Sequence, residues 1–475
     1  MNRPLVVLAV MLSMFMAAME ATVVATAMPT VVADLHGIEL YGYVGSLYIV
    51  ASTIAVPLSG KLADRAGRRF VFLWGNLLFL AGSIASGAAP TMTALVAARV
   101  LQGLGAGALQ PLALIVIADI FSLEERGRYQ GLFGVVWGLA GVSGPLLGGL
   151  IVGALSWRWV FYLNVPVGVL ATALFFASYR EAPRVTERAP LDLAGAVSLA
   201  LAITLVLGAS SGFHPLLTVP ASLVATATFL WVETRAADPV LPLGLFRSRV
   251  IGVASVIGFL LGAVMMTVVM YVPLYVQAVL GTSPAVAGGS VAPMLVGWPI
   301  AGAVSGRLAF RFGPRAILRA GCLAVAATAC ALPWVVDDLT LLRVDLFVFG
   351  LGMGASTLAI IYSVQEDADP KHRGVASASS VFFRSIGGAM AVGVFGAIFA
   401  RALAGKLADD VISRILQPHA GEAMLASDDA ARATLRDALV PLFQLERGFG
   451  ILVLLTALAF PAITWRAKPP METTS

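Results

Sequence analysis

The sequence predicts an all-α protein that crosses a membrane many times, and two observations support this prediction. Hydrophobic residues make up 59% of the chain and charged residues only 12%, whereas soluble domains contain about 25% charged residues. Apolar stretches of about 20 residues recur along the chain, and each is long enough to cross about 30 Å of hydrocarbon. Because backbone polar groups in lipid must bond within their own segment, we expect these stretches to be helices.

Fourteen stretches qualify as predicted spans. The 48 glycines and 25 prolines do not argue against helices, because small residues allow membrane helices to pack closely. The predicted spans cover residues 5–28, 40–60, 70–88, 92–118, 129–153, 158–178, 191–210, 216–233, 250–279, 285–306, 316–335, 340–363, 375–400 and 448–466.

Basic residues set the predicted orientation. With the N-terminus inside, most of the 31 lysines and arginines fall in cytoplasmic segments, where these residues are normally enriched. The sequence therefore predicts a multi-pass protein of the inner (cytoplasmic) membrane with both termini in the cytoplasm. The net charge of +5 follows from this topology and does not indicate a nucleic-acid-binding surface.

Short segments return in the second half of the chain at nearly one offset. The pairs are GKLADRAGRR at 60–69 with GRLAFRFGPR at 306–315, Arg99-Val100 with Arg343-Val344, and Arg126-Gly127 with Arg373-Gly374. Such self-similarity predicts two related six-helix bundles. Bundles related by a parallel repeat are a transporter architecture, with the substrate path at their interface.

The repeat divides the chain into three predicted parts. Residues 1–179 form the first six-helix bundle, residues 180–249 carry two linker spans, and residues 250–475 form the second bundle. Residues 401–447 are predicted to be a long outer segment. Its apolar residues from Leu403 to Leu416 recur at helical spacing, which predicts an amphipathic helix at the membrane surface or over the outer mouth. A second helix, from about Ser427, is expected to run on into the last span.

Several motifs resemble those of the major facilitator superfamily. GKLADRAGRR resembles its signature loop between spans 2 and 3, and LVAARVLQGLGAGA at 95–108 and GLAGVSGPLLGG at 138–149 resemble motifs of its proton-driven exporters. MEATVVATAMP at 19–29 and WRWVFYLNVPVG at 157–168 resemble motifs of its fourteen-span drug:proton antiporters, although Glu20 replaces the more usual Asp. The resemblance implies proton-coupled export of hydrophobic or amphiphilic compounds by alternating access.

Glu20 lies in the middle of the first predicted span and is the leading candidate proton carrier, because intramembrane acids usually mark ion or proton pathways. All four histidines fall in predicted loops, and Glu20 is the only carboxylate that the sequence places near mid-membrane. A buried carboxylate needs a partner. Arg384 lies at comparable depth and is the predicted partner, with Arg99 as the alternative.

The 60–69 loop supplies a predicted conformational gate, consisting of Gly60, Asp64, Arg65, Gly67 and Arg68. The glycines allow a tight reversal, and Asp64 is expected near the positive N-terminal end of a neighbouring helix. The family resemblance implies that this loop latches the two bundles together on the cytoplasmic side. The second copy has Phe310 in place of Asp64.

Span 5 carries a predicted bending site. Its glycines form a flat helix face, and its proline removes one backbone hydrogen bond. The antiporter-motif residues are Gly141, Gly144, Pro145, Gly148 and Gly149.

Polar, aromatic and methionine side chains on apolar helices are the predicted lining of the substrate path. These residues are Gln110, Trp137, Met266, Tyr271, Tyr275, Gln277, Tyr362 and Phe383.

The sequence contains no Ser/His/Asp set, metal-ligand cluster or phosphate-binding loop, so no enzymatic activity, metal or cofactor is expected. The resemblance implies protons as the coupling ion, and the expected partners are the lipid bilayer and a small hydrophobic or amphiphilic substrate, with no nucleic acid. A monomer is expected. Export of an endogenous lipid or dedicated metabolite, and a non-transporting receptor with the same fold, remain alternatives.

Overall fold

The computed structural model describes residues 2–35, 40–121, 154–181, 192–210, 214–236, 239–282, 284–369, 373–403 and 429–461, with single residues between 125 and 152. Every regular element in these ranges is a helix. The α-helices are α1 (Arg3–Leu35), α2 (Tyr41–Ala66), α3 (Arg68–Gly87), α4 (Met92–Ile120), α5 (Arg158–Tyr162), α6 (Asn164–Ser178), α7 (Leu193–Ser210), α8 (Pro215–Arg235), α9 (Arg249–Ala278), α10 (Pro284–Ser290), α11 (Ala292–Phe312), α12 (Pro314–Val335), α13 (Leu339–Asp367), α14 (Arg373–Leu403) and α15 (Asp429–Leu458).

Ten helices in the described ranges are long and apolar enough to cross a membrane. This finding confirms the prediction of an all-helical, multi-pass membrane protein. The number of fourteen spans stays a prediction, because most of the predicted span 129–153 lies outside the described residues.

The last long helix begins well ahead of its predicted membrane span. α15 begins at Asp429, close to the helix that the sequence predicted from about Ser427 to run on into the span at 448. Leu439, Leu442 and Phe443 are buried in the core, so the apolar face of the helix extends well ahead of that span. Charged residues interrupt this part and lower the hydropathy of the window, so the predicted span began only at 448. The predicted amphipathic helix falls mainly within 404–428, outside the described residues.

Apolar packing largely follows the order of the chain. One core cluster consists of buried residues between 250 and 460, and three others consist mainly of residues between 6 and 241. The largest of these three also takes in Ile361, Ala378, Val381 and Phe382. The two halves of the chain therefore meet through α13 and α14.

Close helix contacts at glycines repeat between the halves. A Cβ atom added to Gly103 of α4 would lie 2.4 Å from the carbonyl oxygen of Tyr48, and one added to Gly350 of α13 would lie 2.2 Å from that of Met294. These contacts need glycine, because any side chain would meet the neighbouring backbone. The matching pattern shows that α4 and α13 pack on α2 and α11 in the same way.

The glycine contacts also set the register between α4 and α13. Gly105 approaches Phe79 of α3, and Gly352 approaches Gly321 of α12 in the same way. Within each pair, Gly103 with Gly350 and Gly105 with Gly352, the two glycines are 247 positions apart. Leu346 is therefore the structural counterpart of Arg99. The sequence match between Arg99 and Arg343 is wrong by three positions, nearly one helical turn, because both helices carry an Arg-Val pair near the same end.

Candidate functional site

Glu20 of α1 is buried and forms an ion pair with Arg99 of α4. Their side chains are only 1% and 2% exposed, and Arg99 Nη1 lies 2.5 Å from Glu20 Oε1. Arg99 Nε also donates to the carbonyl oxygen of Val44 at 3.3 Å, and its guanidinium carbon lies 4.1 Å from the centre of the Tyr48 ring. The pair thus joins α1, α2 and α4.

Three buried polar side chains complete what we call the Glu20 network, which consists of Glu20, Ser83, Arg99, Gln102 and Asn164. Asn164 Nδ2 donates to Glu20 Oε2 at 2.6 Å and to Ser83 Oγ at 2.9 Å. Gln102 accepts from Arg99 Nη1 at 2.6 Å and donates to Ser83 at 3.2 Å. Both oxygens of Glu20 therefore accept hydrogen bonds, which favours the ionised carboxylate in this conformation.

Sequence reasoning missed Ser83, Gln102 and Asn164. All three are fully buried, although polar side chains in the membrane normally need internal partners. The signal was present in the sequence, because Gln102 follows Arg99 by three positions on one helix face and Asn164 interrupts an apolar run.

Arg384, the predicted partner of Glu20, lies in α14. It lines a small cavity with Gly258 and Leu261 of α9 and with Ser380 of its own helix. Both oxygens of Glu20 already have partners from the first half of the chain. In this conformation the partner of Glu20 is therefore Arg99, and a pair with Arg384 stays a prediction for another conformation.

Asp64 connects the 60–69 loop to the second half of the chain. Its Oδ2 accepts from the backbone N–H of Val375, in the first turn of α14, at 3.1 Å, and its Oδ1 lies 3.3 Å from Arg68 Nη1. A Cβ added to Gly60 would lie 2.4 Å from Ala378 Cβ. The end of α2 therefore packs directly on the start of α14, where a carboxylate interacts favourably with the helix dipole.

The remaining gate residues organise the turn between α2 and α3. Gly67 has φ +102°, a conformation that side chains other than glycine rarely adopt. Arg68 Nε lies 2.7 Å from Asp119 Oδ2, and its backbone N–H donates to Glu181 at 2.6 Å. Arg65 Nη1 is buried without a hydrogen-bond partner among the described residues.

The span-5 motif is described only in part. Gly144 and Gly148 are buried helical residues, as a close-packed helix face requires. Gly141, Pro145 and Gly149 lie outside the described residues, so the bending site stays a prediction.

The described tyrosines among the predicted substrate residues are buried and engaged within the second half of the chain. Tyr275 Oη donates to Asp337 Oδ1 at 2.5 Å, and Tyr271 Oη donates to the carbonyl oxygen of Val392 at 3.4 Å. Tyr362 is 1% exposed in the core. These contacts are those of packing residues in this conformation.

Other predicted substrate residues lie near the contact between α9 and α14. Phe383 packs edge-on against Phe246, with ring centres 5.6 Å apart, and Met266 approaches Gly388 of α14. Gln110 is half-buried in α4. Trp137 and the side chain of Gln277 lie outside the described residues.

Glu20 is not the only buried carboxyl group in the described spans. Glu446 of α15 is 1% exposed and Glu233 of α8 is 3% exposed. Glu233 Oε2 accepts from the backbone N–H of Leu241 at 3.1 Å. Sequence reasoning placed Glu446 in the outer segment, because it began the last membrane span at 448.

Comparisons with known proteins agree with this architecture. The model of the Major Facilitator Superfamily matches residues 10–392. The chain is 35% identical to the Multidrug transporter protein MdtP of Bacillus subtilis, over 86% of this chain and 77% of the relative. It is 33% identical to Multidrug resistance protein 3 of the same organism, over 85% and 81%.

A fungal relative and a solved structure extend the comparison. The chain is 30% identical to the Acurin A biosynthesis cluster MFS-type transporter of Aspergillus aculeatus, over 88% of this chain and 79% of the relative. The crystal structure of the human organic anion transporter MFSD10 (TETRAN) superposes with a TM-score of 0.66 at 16% identity, covering 96% of this chain and all of that one. On the family match and these relatives, the chain belongs to the Major Facilitator Superfamily.

Proposed function

We propose that this transporter is a proton-coupled antiporter that exports hydrophobic or amphiphilic compounds, as a multidrug efflux protein. The observation that carries the proposal is the buried Glu20–Arg99 pair, because an ionisable residue inside a membrane span is costly and normally functional. The two bacterial relatives are named as multidrug transport and multidrug resistance proteins, which supports this substrate class.

Coupling would follow from a change in the surroundings of Glu20. While Arg99 and Asn164 bond its two oxygens, the carboxylate is stabilised in its charged form. A conformational change that withdraws Arg99 would leave a buried charge without its partner, and Glu20 would then bind a proton. The predicted pair with Arg384 would form only with the ionised carboxylate, after Glu20 has released its proton.

Alternating access would use the contact between α2 and α14. The hydrogen bond from Val375 to Asp64 would hold the cytoplasmic side closed, and its loss would open that side to substrate. We propose two six-helix bundles joined by two linker helices, fourteen spans in all, in a monomer of the inner membrane with both termini in the cytoplasm.

Export of a dedicated metabolite is the second candidate. The fungal relative named for a biosynthesis cluster favours this possibility. The Glu20–Arg99 pair and the contact between Asp64 and Val375 would serve the export of either substrate class.

The test is accumulation of fluorescent dyes and drugs in an efflux-deficient bacterium that expresses the wild type, Glu20→Gln or Asp437→Asn at equal levels. We expect a proton uncoupler to abolish extrusion by the wild type. Glu20→Gln should lower extrusion at least tenfold, because an amide cannot carry the proton. Asp437 is an exposed carboxyl group on α15, and its substitution should leave extrusion unchanged.

Extrusion that Glu20→Gln leaves intact would show that Glu20 is not the proton carrier. Extrusion that resists the uncoupler would contradict proton coupling. If no dye or drug were extruded, a panel of lipids and cell-derived metabolites would decide in favour of the second candidate.

A further inference from the structure

Glu446 is a buried acid without the partners that a charge requires. Its side chain is 1% exposed, and both carboxyl oxygens are buried without a hydrogen-bond partner among the described residues. An ionised carboxylate in such surroundings is strongly unfavourable, and a group in this situation binds a proton and becomes neutral. Nothing in the coupling mechanism proposed for Glu20 uses this residue.

A sequence repeat shows where Glu446 stands in the fold. FYLNVPVG at 161–168 matches FQLERGFG at 443–450 at the phenylalanine, the leucine and the final glycine. The final glycines also pack alike. A Cβ on Gly168 would lie 2.6 Å from Leu80 of α3, and a Cβ on Gly450 would lie 2.6 Å from Ala329 of α12. Glu446 therefore occupies the position in the second half that Asn164 occupies in the first.

Apolar residues stand at the positions of the second half that correspond to polar residues of the Glu20 network. Ser83, which accepts from Asn164, corresponds to Ala329 at the offset of the 60–69 repeat. Gln102 corresponds to Phe349 in the register set by the glycine contacts. The second half thus places a carboxyl group where the first half places an amide, and it removes the side chains that would stabilise a charge there.

Asp345 of α13 is the second member of this site. It corresponds to Ala98, the residue before Arg99, and its side chain is half-buried, so that an ionised Asp345 would repel a charge on Glu446. Two carboxyl groups in one apolar site do not readily ionise together, so one proton removes their repulsion. Tyr275 packs on Phe443, three positions before Glu446 on α15, with ring centres 5.7 Å apart.

Three cations on α12 and α15 contact other groups. Arg436 bonds Asp337, Arg447 lies over the Trp334 ring, and Arg319 donates to carbonyl groups at the C-terminal end of α15. Apart from Glu446, the described titratable and charged groups on α15 and on α9, α12 and α14, which pack against it, are Arg249, Tyr271, Tyr275, Arg315, Arg319, Cys322, Cys330, Arg373, Arg384, Arg401, Arg432, Arg436, Asp437 and Arg447. Those on α13 are Arg343, Asp345, Tyr362, Glu366 and Asp367. Among them, Asp345 is the group whose charge acts on Glu446.

We propose that Glu446 and Asp345 form a second proton-binding site, in the second half of the chain, where Glu446 carries the proton and Asp345 tunes its release. Its role in transport rests on the proton coupling proposed above and adds a proton that Glu20 does not carry. The proton-binding step itself can be measured without transport.

Infrared spectroscopy of the purified full-length protein in lipid nanodiscs tests the site, because a protonated carboxyl group absorbs in a C=O stretching band that a carboxylate lacks. We expect the wild type to show this band at neutral pH and Glu446→Gln to lose the part that Glu446 contributes. Asp345→Asn should keep the band but lose it at lower pH, because removal of the neighbouring negative charge makes Glu446 easier to ionise. Asp437→Asn on the exposed face of α15 should match the wild type.

An unchanged band in Glu446→Gln would overturn the proposal. The proposal would also be overturned if the band disappeared at the same pH in Asp345→Asn as in the wild type, because the two carboxyl groups would then not interact. Circular dichroism and thermal unfolding of each variant separate loss of the band from loss of the fold. Failure of the proposed function would look different, with efflux insensitive to the uncoupler in a protein whose infrared band is intact.

Discussion

Glu20 and Arg99 each compensate a charge that would otherwise be buried alone. Their 2.5 Å contact lies among Ser83, Gln102 and Asn164, which use most of the remaining hydrogen-bonding capacity. Breaking a buried pair on one side costs about 3–5 kcal/mol, whereas removing both charges costs much less. This asymmetry makes the pair testable independently of transport.

We expect Arg99→Ala to lower the free energy of unfolding by about 3–5 kcal/mol, because Glu20 loses its counter-charge. The double variant Glu20→Gln/Arg99→Ala should be less destabilised than the sum of the single variants Glu20→Gln and Arg99→Ala. Thermal unfolding of the purified protein in detergent measures both. Arg384→Ala is the matched arginine control and should cost less in this conformation. Additive effects of the single substitutions would show that the two residues do not interact.

The sequence alone identified Glu20 because a carboxyl group in an apolar run is conspicuous. It ranked Arg384 above Arg99 because depth in the membrane can be estimated from span bounds, whereas helix rotation and neighbours cannot. Asn164 was hidden for the same reason, since its role depends on α6 packing against α1 and α3. Glu446 was missed because the charges around it lower the local hydropathy, so the last membrane span was predicted to begin only at 448, two positions after it.

At the scale of helices, α2 and α14 are closely packed against each other at Gly60. A Cβ on Gly60 would lie 2.4 Å from Ala378 Cβ and 3.2 Å from the carbonyl oxygen of Gly374. Small residues allow this approach, and Asp64 adds a hydrogen bond one turn away. The contact is therefore sensitive to single methyl groups and to single charges.

We expect Gly60→Ala to shift the conformational equilibrium away from this closed contact, because its methyl group clashes with Ala378. The double variant Gly60→Ala/Ala378→Gly should restore the wild-type equilibrium, because removal of the Ala378 methyl group makes room for the methyl group at position 60. Single cysteines near each membrane face, in a background that lacks Cys322 and Cys330, report the shift through their labelling rates. Labelling rates that do not change in Gly60→Ala would contradict the proposed gate.

Asp64→Asn probes the same contact through charge. The amide loses the favourable interaction of a carboxylate with the N-terminal end of α14, which is worth about 0.3–1 kcal/mol. We expect labelling to shift in the same direction as in Gly60→Ala but by a smaller amount. Asp437→Asn is the control, and an equal labelling pattern in both variants would show that the Asp64 charge plays no part in closing.

Helix bounds were predictable where hydropathy changes sharply. The structure places α3, α4, α9 and α12 within a few residues of their predicted ends, because each is bordered by charged or turn residues. α1 and α2 run further than predicted into polar sequence. Apolarity indicates which residues enter the lipid, whereas a helix continues as long as its backbone hydrogen bonds are satisfied.

For the whole molecule, we expect protons that flow down their gradient to drive the substrate in the opposite direction. In proteoliposomes that contain the purified protein, an imposed gradient should drive dye in the direction opposite to proton flow, and each proton moved across 100 mV would supply about 2.3 kcal/mol. Reversal of the gradient should reverse dye movement. Dye movement that does not follow the sign of the gradient would exclude antiport, and Glu20→Gln provides the uncoupled control.

The two copies of the repeated loop now have different surroundings. Gly67 approaches the carboxylate of Glu181, whereas its counterpart Gly313 has φ +80° and open space around it. The second copy is therefore free to accept changes that the first cannot accommodate. In practical terms this makes it a suitable attachment point: Phe312, which precedes Gly313, is 58% exposed, and a fluorescent label there would follow the motion of the second half with little disturbance of the first.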